Sequence, residues 1–429
     1  MKIEELQGKL RQDYTSQRGF GVVKIDEKGW ENIYFVVPPP PPRKISEIKG
    51  KLPLKLMGEA LKVLGGLPEF SEMSELDKLV NYLFVRREVV QSSRLEGTWS
   101  TIDHALTPGE ISDSGVGKNE HQAVRSYANL LEEIIEQTIK KKEKIFTTEF
   151  IRYIQKKIIE NDPNSSGIPG KLRTPNRPGS IVTLGGSIRR ENSIYNPAPP
   201  KEVKRCLSEV LNWLSDEDLA QLGDAGLGLN LPIRLAIGHS HFEAVHPFTD
   251  GNGRTGRSLW PIQMICSGNM PLYLSGFLEA HKENYGKALG EAQKKLNYIP
   301  MIEFICDAII ESNLEAKITK KIISILENRW QERGKFNKNS TARRTLKLLL
   351  TNPIISSSII EKELQVSKTA SVDAINSLVN KKIIRFRKLE KRQRIYAAEE
   401  LIQILSRPFG SDIDLALEKA ELLLNESET

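Results

Sequence analysis

Apolar positions recur at helical spacing over most of this chain. Leu54, Leu56, Ala60, Leu61, Val63 and Leu64, followed by Leu79, Leu83, Phe84, Val89 and Val90, predict core-forming helices between residues 54 and 95. Helical periodicity resumes over residues 121–140, 147–160, 200–216 and 231–245, with Thr147 placed as an N-cap before Glu149 and Phe150. It returns over 341–350, 357–364 and 368–379, joined by short turns. Strand signals are few. They comprise residues 32–37, the stretches 180–184 and 193–195 within a segment rich in Gly, Pro, Asn and Ser, and 383–396. The fold class is therefore mainly α, a helical core with a β-hairpin flap, plus a C-terminal module.

The order helix, helix, helix, basic hairpin after residue 340 is that of a winged helix-turn-helix, with 368–379 in the place of the recognition helix. The expected division is an N-terminal arm over 1–45, a helical region over 46–115, a core over 116–335 and the winged-helix domain over 336–429. At 429 residues, more than one domain is expected. The run from Pro38 to Pro42 must be extended. It reads as a stiff spacer laying the arm across the body, with a ligand for an aromatic groove as the alternative.

Charge changes this picture at one place. Residues 367–394 hold nine basic side chains, Lys368, Lys381, Lys382, Arg385, Arg387, Lys388, Lys391, Arg392 and Arg394, against Asp373 and Glu390, so their net of seven equals the formal +7 of the whole chain. Such a segment is an electrostatic footprint for nucleic acid, or a solvated face. Cys206, Cys266 and Cys306 are an odd number in apolar helical stretches, which predicts buried thiols. No apolar run approaches the roughly 18 residues of a membrane span, and the N-terminus is polar, so a cytoplasmic protein without membrane contact is expected.

The densest chemistry lies in His246-Pro247-Phe248-Thr249-Asp250-Gly251-Asn252-Gly253-Arg254-Thr255-Gly256-Arg257. Its three glycines let backbone amides approach phosphates, and its two arginines can grip two more phosphate groups. An apolar helix follows directly, which places the loop at a helix N-terminus where an anion is favoured. Asp250 can hold a divalent cation bridging those phosphates. His246 can accept a proton from an attacking hydroxyl. A P-loop is excluded because no Gly-Lys-Ser/Thr ending is present.

This loop resembles the Fic-family motif HPFxDGNGRxxR at every defined position. The resemblance implies a helical core that binds ATP with Mg²⁺ or Mn²⁺ and transfers AMP to a Ser, Thr or Tyr hydroxyl of a protein, releasing pyrophosphate. By it, His246 is the general base, Asp250 the metal ligand and Gly251, Asn252 and Gly253 the cradle for the α- and β-phosphates. Arg254 would then hold the β-phosphate and Arg257 the γ-phosphate, with Phe248 anchoring the loop in the core. Tyr285 falls roughly where the family places an aromatic near the base, with plain packing as the alternative. His239, His241 and His246 lack the spacing of a helical zinc motif, and Glu243 and His239 read as supports for the catalytic helix.

Upstream, Ser92-Ser93-Arg94-Leu95-Glu96-Gly97 resembles the family's inhibitory signature. Ser92 and Glu96 share one helix face, and Gly97 can end the helix. The resemblance implies that Glu96 pairs with Arg257 and keeps the γ-phosphate out of its productive position. The flap, opening at Pro169-Gly170-Lys171-Leu172-Arg173 and closing at Tyr195-Asn196-Pro197-Ala198-Pro199-Pro200, would dock the target by strand addition. An autoinhibited adenylyltransferase acting on itself or on another protein is thus the leading reading. The alternatives are a DNA-binding regulator that uses the core as an ATP sensor, and an enzyme that removes AMP with Glu96 positioning water. DNA or protein contacts of the C-terminal domain, base preference and homodimer formation stay open at this stage.

Overall fold

The computed structural model describes residues 1–112, 119–186, 190–390 and 393–425. The arm opens with a two-stranded antiparallel sheet, β1 (Gly21–Lys24) and β2 (Tyr34–Val37), in which Gly21 lies opposite Val37 and Lys24 opposite Tyr34. β2 falls inside the stretch 32–37 that the sequence marks. β1 has only four residues, too few for an alternation to show. After β2, the proline run lies along the body, where the Pro42 carbonyl accepts a 2.8 Å hydrogen bond from Trp213 Nε1. Leu6, Leu10, Val22 and Val36 form a satellite core with Tyr195 and Ala244, which seats the arm.

The helices follow in order: α1 (Leu54–Gly65), α2 (Glu75–Leu95), α3 (Ile102–Leu106), α4 (Gly109–Ser112), α5 (Glu120–Lys141), α6 (Thr148–Ile159), α7 (Val203–Leu214), α8 (Glu217–Asp224), α9 (Leu231–Val245), α10 (Asn252–Cys266), α11 (Ser275–Ala280), α12 (Lys282–Lys295) and α13 (Ile299–Gly334). All 15 residues of α9 are buried, which makes it the central helix rather than an amphipathic surface one. α10 packs beside it, and α5, α6, α7, α12 and α13 surround the pair. α2 starts with a capping box between Ser74 and Asp77, and it buries Arg86, Arg87, Glu88, Gln91, Ser92 and Ser93 as well as its apolar residues. Thr147 caps α6 as expected, accepting from the Phe150 amide at 3.2 Å. The three cysteines are buried free thiols.

Within the Gly- and Pro-rich segment the chain doubles back, and Leu184 pairs antiparallel with Tyr195. Among the described residues the hairpin is closed by this one bridge. Residues 187–189 lie outside the described residues.

The C-terminal residues form α14 (Thr341–Thr351), β3 (Ile354–Ile355), α15 (Ser357–Leu364), α16 (Lys368–Asn380), β4 (Arg385–Glu390), β5 (Gln393–Ala397), α17 (Glu399–Ser406) and α18 (Ile413–Asn425). Ser340, Ser356 and Ser367 each accept a hydrogen bond from the third residue beyond, which explains three sharp helix starts. The strands pair in the order β3, β5, β4, all antiparallel. Hydrophobic packing is continuous from the core into these elements along α13, whose Trp330 donates to Glu400 Oε2 at 2.6 Å. Among the described residues, no helix is long and apolar enough to cross a membrane.

Several basic residues of the 367–394 segment are engaged internally. Arg385 and Arg387 both bind the fully buried Glu399 carboxylate, at 2.9 and 2.7 Å to Oε1, and Arg387 also pairs with Asp103 next to α2. Lys388 pairs with Glu390 at 2.5 Å, and Arg394 lies 5.4 Å from the Phe386 ring centroid. Lys391 and Arg392 lie outside the described residues. The partners Glu399 and Asp103 lie beyond the counted window, so the net charge read from the segment overstates what it presents outward.

Candidate active site

The loop from His246 to Gly251 connects the two central helices. His246 ends α9 in the left-handed conformation at φ 49°, a region that a non-glycine residue enters at some strain. Gly251 opens α10 at φ 77°, and a β-carbon there would lie 2.7 Å from Ile159 Cγ2. Between them, Asn252 fixes the loop with both ends of its amide: Phe248 N–H donates to Oδ1 and Nδ2 donates to Phe248 O, each at 2.9 Å. Phe248 is fully buried, as an anchor should be. The sequence placed Asn252 in a phosphate cradle, but its side chain is a brace, so only its backbone is left for that part.

Behind His246 stands Glu243, whose Oε2 is 3.4 Å from Nδ1, within ion-pair range. Burial raises the Glu243 carboxyl, but contact with His246 and the nearby His239 and Arg257 outweigh it and hold the group below the usual carboxylate range. Gly256 has no phosphate role in this geometry: a β-carbon on it would sit 2.6 Å from Glu243 Oε1 and 3.1 Å from Phe242. It is glycine because α9 and α10 touch there. His239 and His241 are buried, and burial pushes them down to about 4 and about 3. His239 Nε2 meets Tyr285 Oη at 2.7 Å and His241 Nε2 meets Tyr298 Oη at 2.8 Å. Tyr285 thus turns its hydroxyl inward to the support of α9, which favours the packing alternative over a contact to a base.

Arg257 is buried on the inner face of α10 and held from α2. Its Nε donates to Ser92 Oγ at 2.9 Å, and its Nη2 donates to Ser92 O at 2.8 Å and to Glu96 Oε1 at 2.7 Å. Gly97, at φ 85°, follows as the residue that lets α2 stop there. The Glu96 carboxylate lies against Gly253, where a β-carbon would collide with Oε1. A carboxylate therefore occupies the space over the first turn of α10, whose N-terminus has no side-chain cap.

On the opposite side, the segment following α6 grips the loop. Ser165 Oγ donates to Asp250 Oδ2 at 2.6 Å, Ser166 N–H donates to the same oxygen at 3.1 Å, and Gly251 N–H donates to Oδ1 at 2.6 Å. Asp250 is half-buried and offers hard carboxylate oxygens, a donor set that suits a Mg²⁺ ion bound mainly through phosphates and water. Arg254 is buried and paired at 2.5 Å with buried Asp162. It therefore enters the site already carrying a counter-ion, which its assignment to a phosphate did not foresee.

Sequence reasoning missed Asp162, Ser165, Gln155 and Tyr127, and saw Arg173 only as the start of the flap. Gln155 bridges Asp250 O and the Gly170 amide at 3.0 and 2.6 Å. Tyr127 Oη donates to Arg254 O at 3.1 Å, approaches Ser258 Oγ equally closely, and lies 3.5 Å from Ser92 Oγ. A buried polar residue on an apolar helix face, as Gln155 and Tyr127 are, was the available signal.

Two regions of the chain resemble known proteins. The Fic/DOC family matches residues 145–262, and the Fic/DOC family N-terminal region matches residues 54–136. Protein adenylyltransferase fic-1 of Caenorhabditis elegans is 34% identical over 110 residues, 24% of this chain and 20% of that protein. A probable protein adenylyltransferase of Aquifex aeolicus is 31% identical over 100 residues, 23% of this chain and 27% of that protein. The similarity thus spans about a quarter or less of these relatives' own length. A solved Fic domain containing signaling protein from Bacteroides thetaiotaomicron is 22% identical, covers 62% of this chain and 96% of its own, and superposes with a TM-score of 0.47.

Proposed function

We propose that this chain, which carries the Fic/DOC-family domain and its N-terminal region, is a protein adenylyltransferase that moves AMP from ATP to a protein hydroxyl and is restrained by Glu96. The observation that carries the proposal is the joint arrangement on one loop: His246 backed by Glu243 at one end, and a buried arginine pair beside a helix N-terminus at the other.

In this reading the α10 N-terminus, with Gly251, the Asn252 backbone and Gly253, receives the α- and β-phosphates, and Arg254 and Arg257 receive β and γ. Asp250 would hold Mg²⁺ or Mn²⁺, which would neutralise charge on the phosphates. A target Ser, Thr or Tyr hydroxyl, laid along the flap, attacks the α-phosphorus. The new P–O bond forms as the bond to the β-phosphate oxygen breaks, and pyrophosphate leaves. The hydroxyl proton passes to His246 Nε2, since Glu243 stands behind Nδ1, and the buried carboxylate stabilises the imidazolium that results. Glu96 opposes this by holding Arg257 and by placing negative charge over Gly253. Productive ATP binding must first displace Glu96 from Arg257, so basal transfer is low.

An ATP sensor would need the phosphate cradle but not the His246–Glu243 pair, which favours catalysis over the sensor reading. The order of α14, β3, α15, α16, β4 and β5 supports a winged helix, and the internal pairing of Arg385 and Arg387 argues that it braces α3 and α2 before it serves nucleic acid. The direct test is transfer of α-phosphate label from ATP to protein with Mg²⁺, in the wild-type chain and in Glu96→Gly.

A further inference from the structure

Arg173 is 1% exposed and sits between the flap and the end of α9. Its partners are backbone carbonyls. Nε donates to His246 O at 2.7 Å, Nη1 to Ser180 O at 3.1 Å, and Nη2 to Ala198 O at 2.7 Å and Val245 O at 2.9 Å. Its own amide donates to Pro247 O at 2.9 Å. Among the described residues no carboxylate pairs with this guanidinium. Burying a cation without a counter-ion is costly, and the arrangement persists only because four donors are satisfied at once. Two of those carbonyls, Val245 and His246, are the last of α9, where the helix dipole is negative and acceptors lack intrahelical partners. The other two bracket the hairpin.

We infer that Arg173 is a positioning residue that locks His246 in its left-handed backbone conformation and joins that residue to the target-binding flap as one hydrogen-bonded unit. The inference rests on the reading of His246 as general base. It assigns to Arg173 no contact with substrate. The strain at His246 is held by the Phe242 O contact of its own amide and by Arg173 on its carbonyl, so removing the fork frees the residue to relax and moves the imidazole relative to the cradle. The nucleotide cradle is not touched, because its residues are held from α2, α5 and α6.

The test uses the full chain with Glu96→Gly as parent and adds Arg173→Met or Arg173→Lys. A lysine keeps the charge but cannot span four carbonyls, and it protects the experiment if the methionine variant fails to fold. The expected result is a loss of kcat of about 100-fold, with ATP affinity, measured by calorimetry with a non-transferable ATP analogue, within about 2-fold of the parent. A second arm needs no activity: in ¹⁵N-histidine spectra the His246 ring signals shift in the variant, and amide exchange quickens at residues 245–246 and 180–184 together. A variant that folds and keeps the parent's kcat overturns the inference, as does a parallel loss of ATP affinity, or exchange that quickens in only one of the two segments. If the Glu96→Gly parent binds ATP yet labels neither itself nor any protein in added cell lysate, the adenylyltransferase reading fails on that result, and the histidine and exchange arms still decide whether Arg173 couples flap and loop.

Discussion

Glu96 Oε1 accepts a 2.7 Å hydrogen bond from Arg257 Nη2, while Ser92, one turn earlier on the same helix, holds the rest of that guanidinium through its hydroxyl and its carbonyl. The two contacts differ in kind. Ser92 is fully buried and fixes where Arg257 points, whereas the Glu96 side chain is 38% exposed at the last turn of α2 and can leave. Removing Glu96 therefore frees the charge of Arg257 without misaligning it.

Arg254 and Asp162 form the second ion pair of the loop, and neither side chain is more than 6% exposed. Breaking a buried pair from one side is worth about 3–5 kcal/mol, because the surviving charge is stranded. Asp162→Asn should lower stability by an amount of that order in the free protein. ATP with Mg²⁺ should then raise the melting temperature more in the variant than in the wild type, since a phosphate replaces the lost carboxylate. An equal rise in both would speak against a phosphate contact at Arg254.

Gly167 faces Asp250 so closely that a β-carbon would lie 2.7 Å from Asp250 Cβ. Gly167→Ala must push the Ser165–Asp250 contact apart. In a Glu96→Gly background it should reduce label transfer by about 10-fold or more, with the loss partly recovered at higher Mg²⁺, as a displaced metal ligand requires. A loss that no Mg²⁺ concentration alters would place the fault elsewhere.

Legibility in the sequence follows contact distance along the chain. The loop 246–257 and the helix end 92–97 were readable because their chemistry is carried by neighbours in sequence: glycines that bare the backbone amides, a helix N-terminus, a four-residue spacing. Asp162 on Arg254, Ser165 on Asp250 and Arg173 on His246 were not, because each joins residues roughly 70–90 positions apart that only the packing of α6 against α10 and of the flap against the end of α9 brings together. Gly256 was read as a phosphate glycine because spacing alone cannot tell an anion from a neighbouring helix. The basic segment was over-read for a related reason, since Glu399 and Asp103, which neutralise Arg385 and Arg387, lie outside it.

A buried triad ties α2 to the C-terminal elements. Glu315 on α13 pairs with Arg87 on α2 and, at 2.7 Å, with Arg407 just past α17, and Arg87 also donates to Arg407 O at 3.0 Å. Glu315→Gln strands two guanidinium groups, so unfolding free energy should fall by about 3–5 kcal/mol in a denaturant titration. A change below about 1 kcal/mol would show that the triad contributes little to holding α2.

Stability should also depend on pH through His239 and His241. Their folded values, about 4 and about 3, lie below the unfolded value near 6.5, so between these limits the unfolded chain binds protons that the folded chain does not. Stability from this source is full above pH 6.5 and falls as pH drops, by about 1.4 kcal/mol per pH unit for each histidine. Denaturant midpoints at pH 7.5 and 5.5 check the sign. His241→Phe should flatten the dependence by about one proton, and an unchanged slope would contradict the account.

The central claim, a catalytic loop held in check by Glu96, is tested most directly by label transfer from ATP labelled at the α-phosphate, with Mg²⁺, in three chains: wild type, Glu96→Gly, and Glu96→Gly with His246→Ala. Strong labelling in the single variant, weak labelling in the wild type and none in the double variant is the predicted result. A Glu96→Gly chain that binds ATP yet labels neither itself nor any protein in added cell lysate would contradict it.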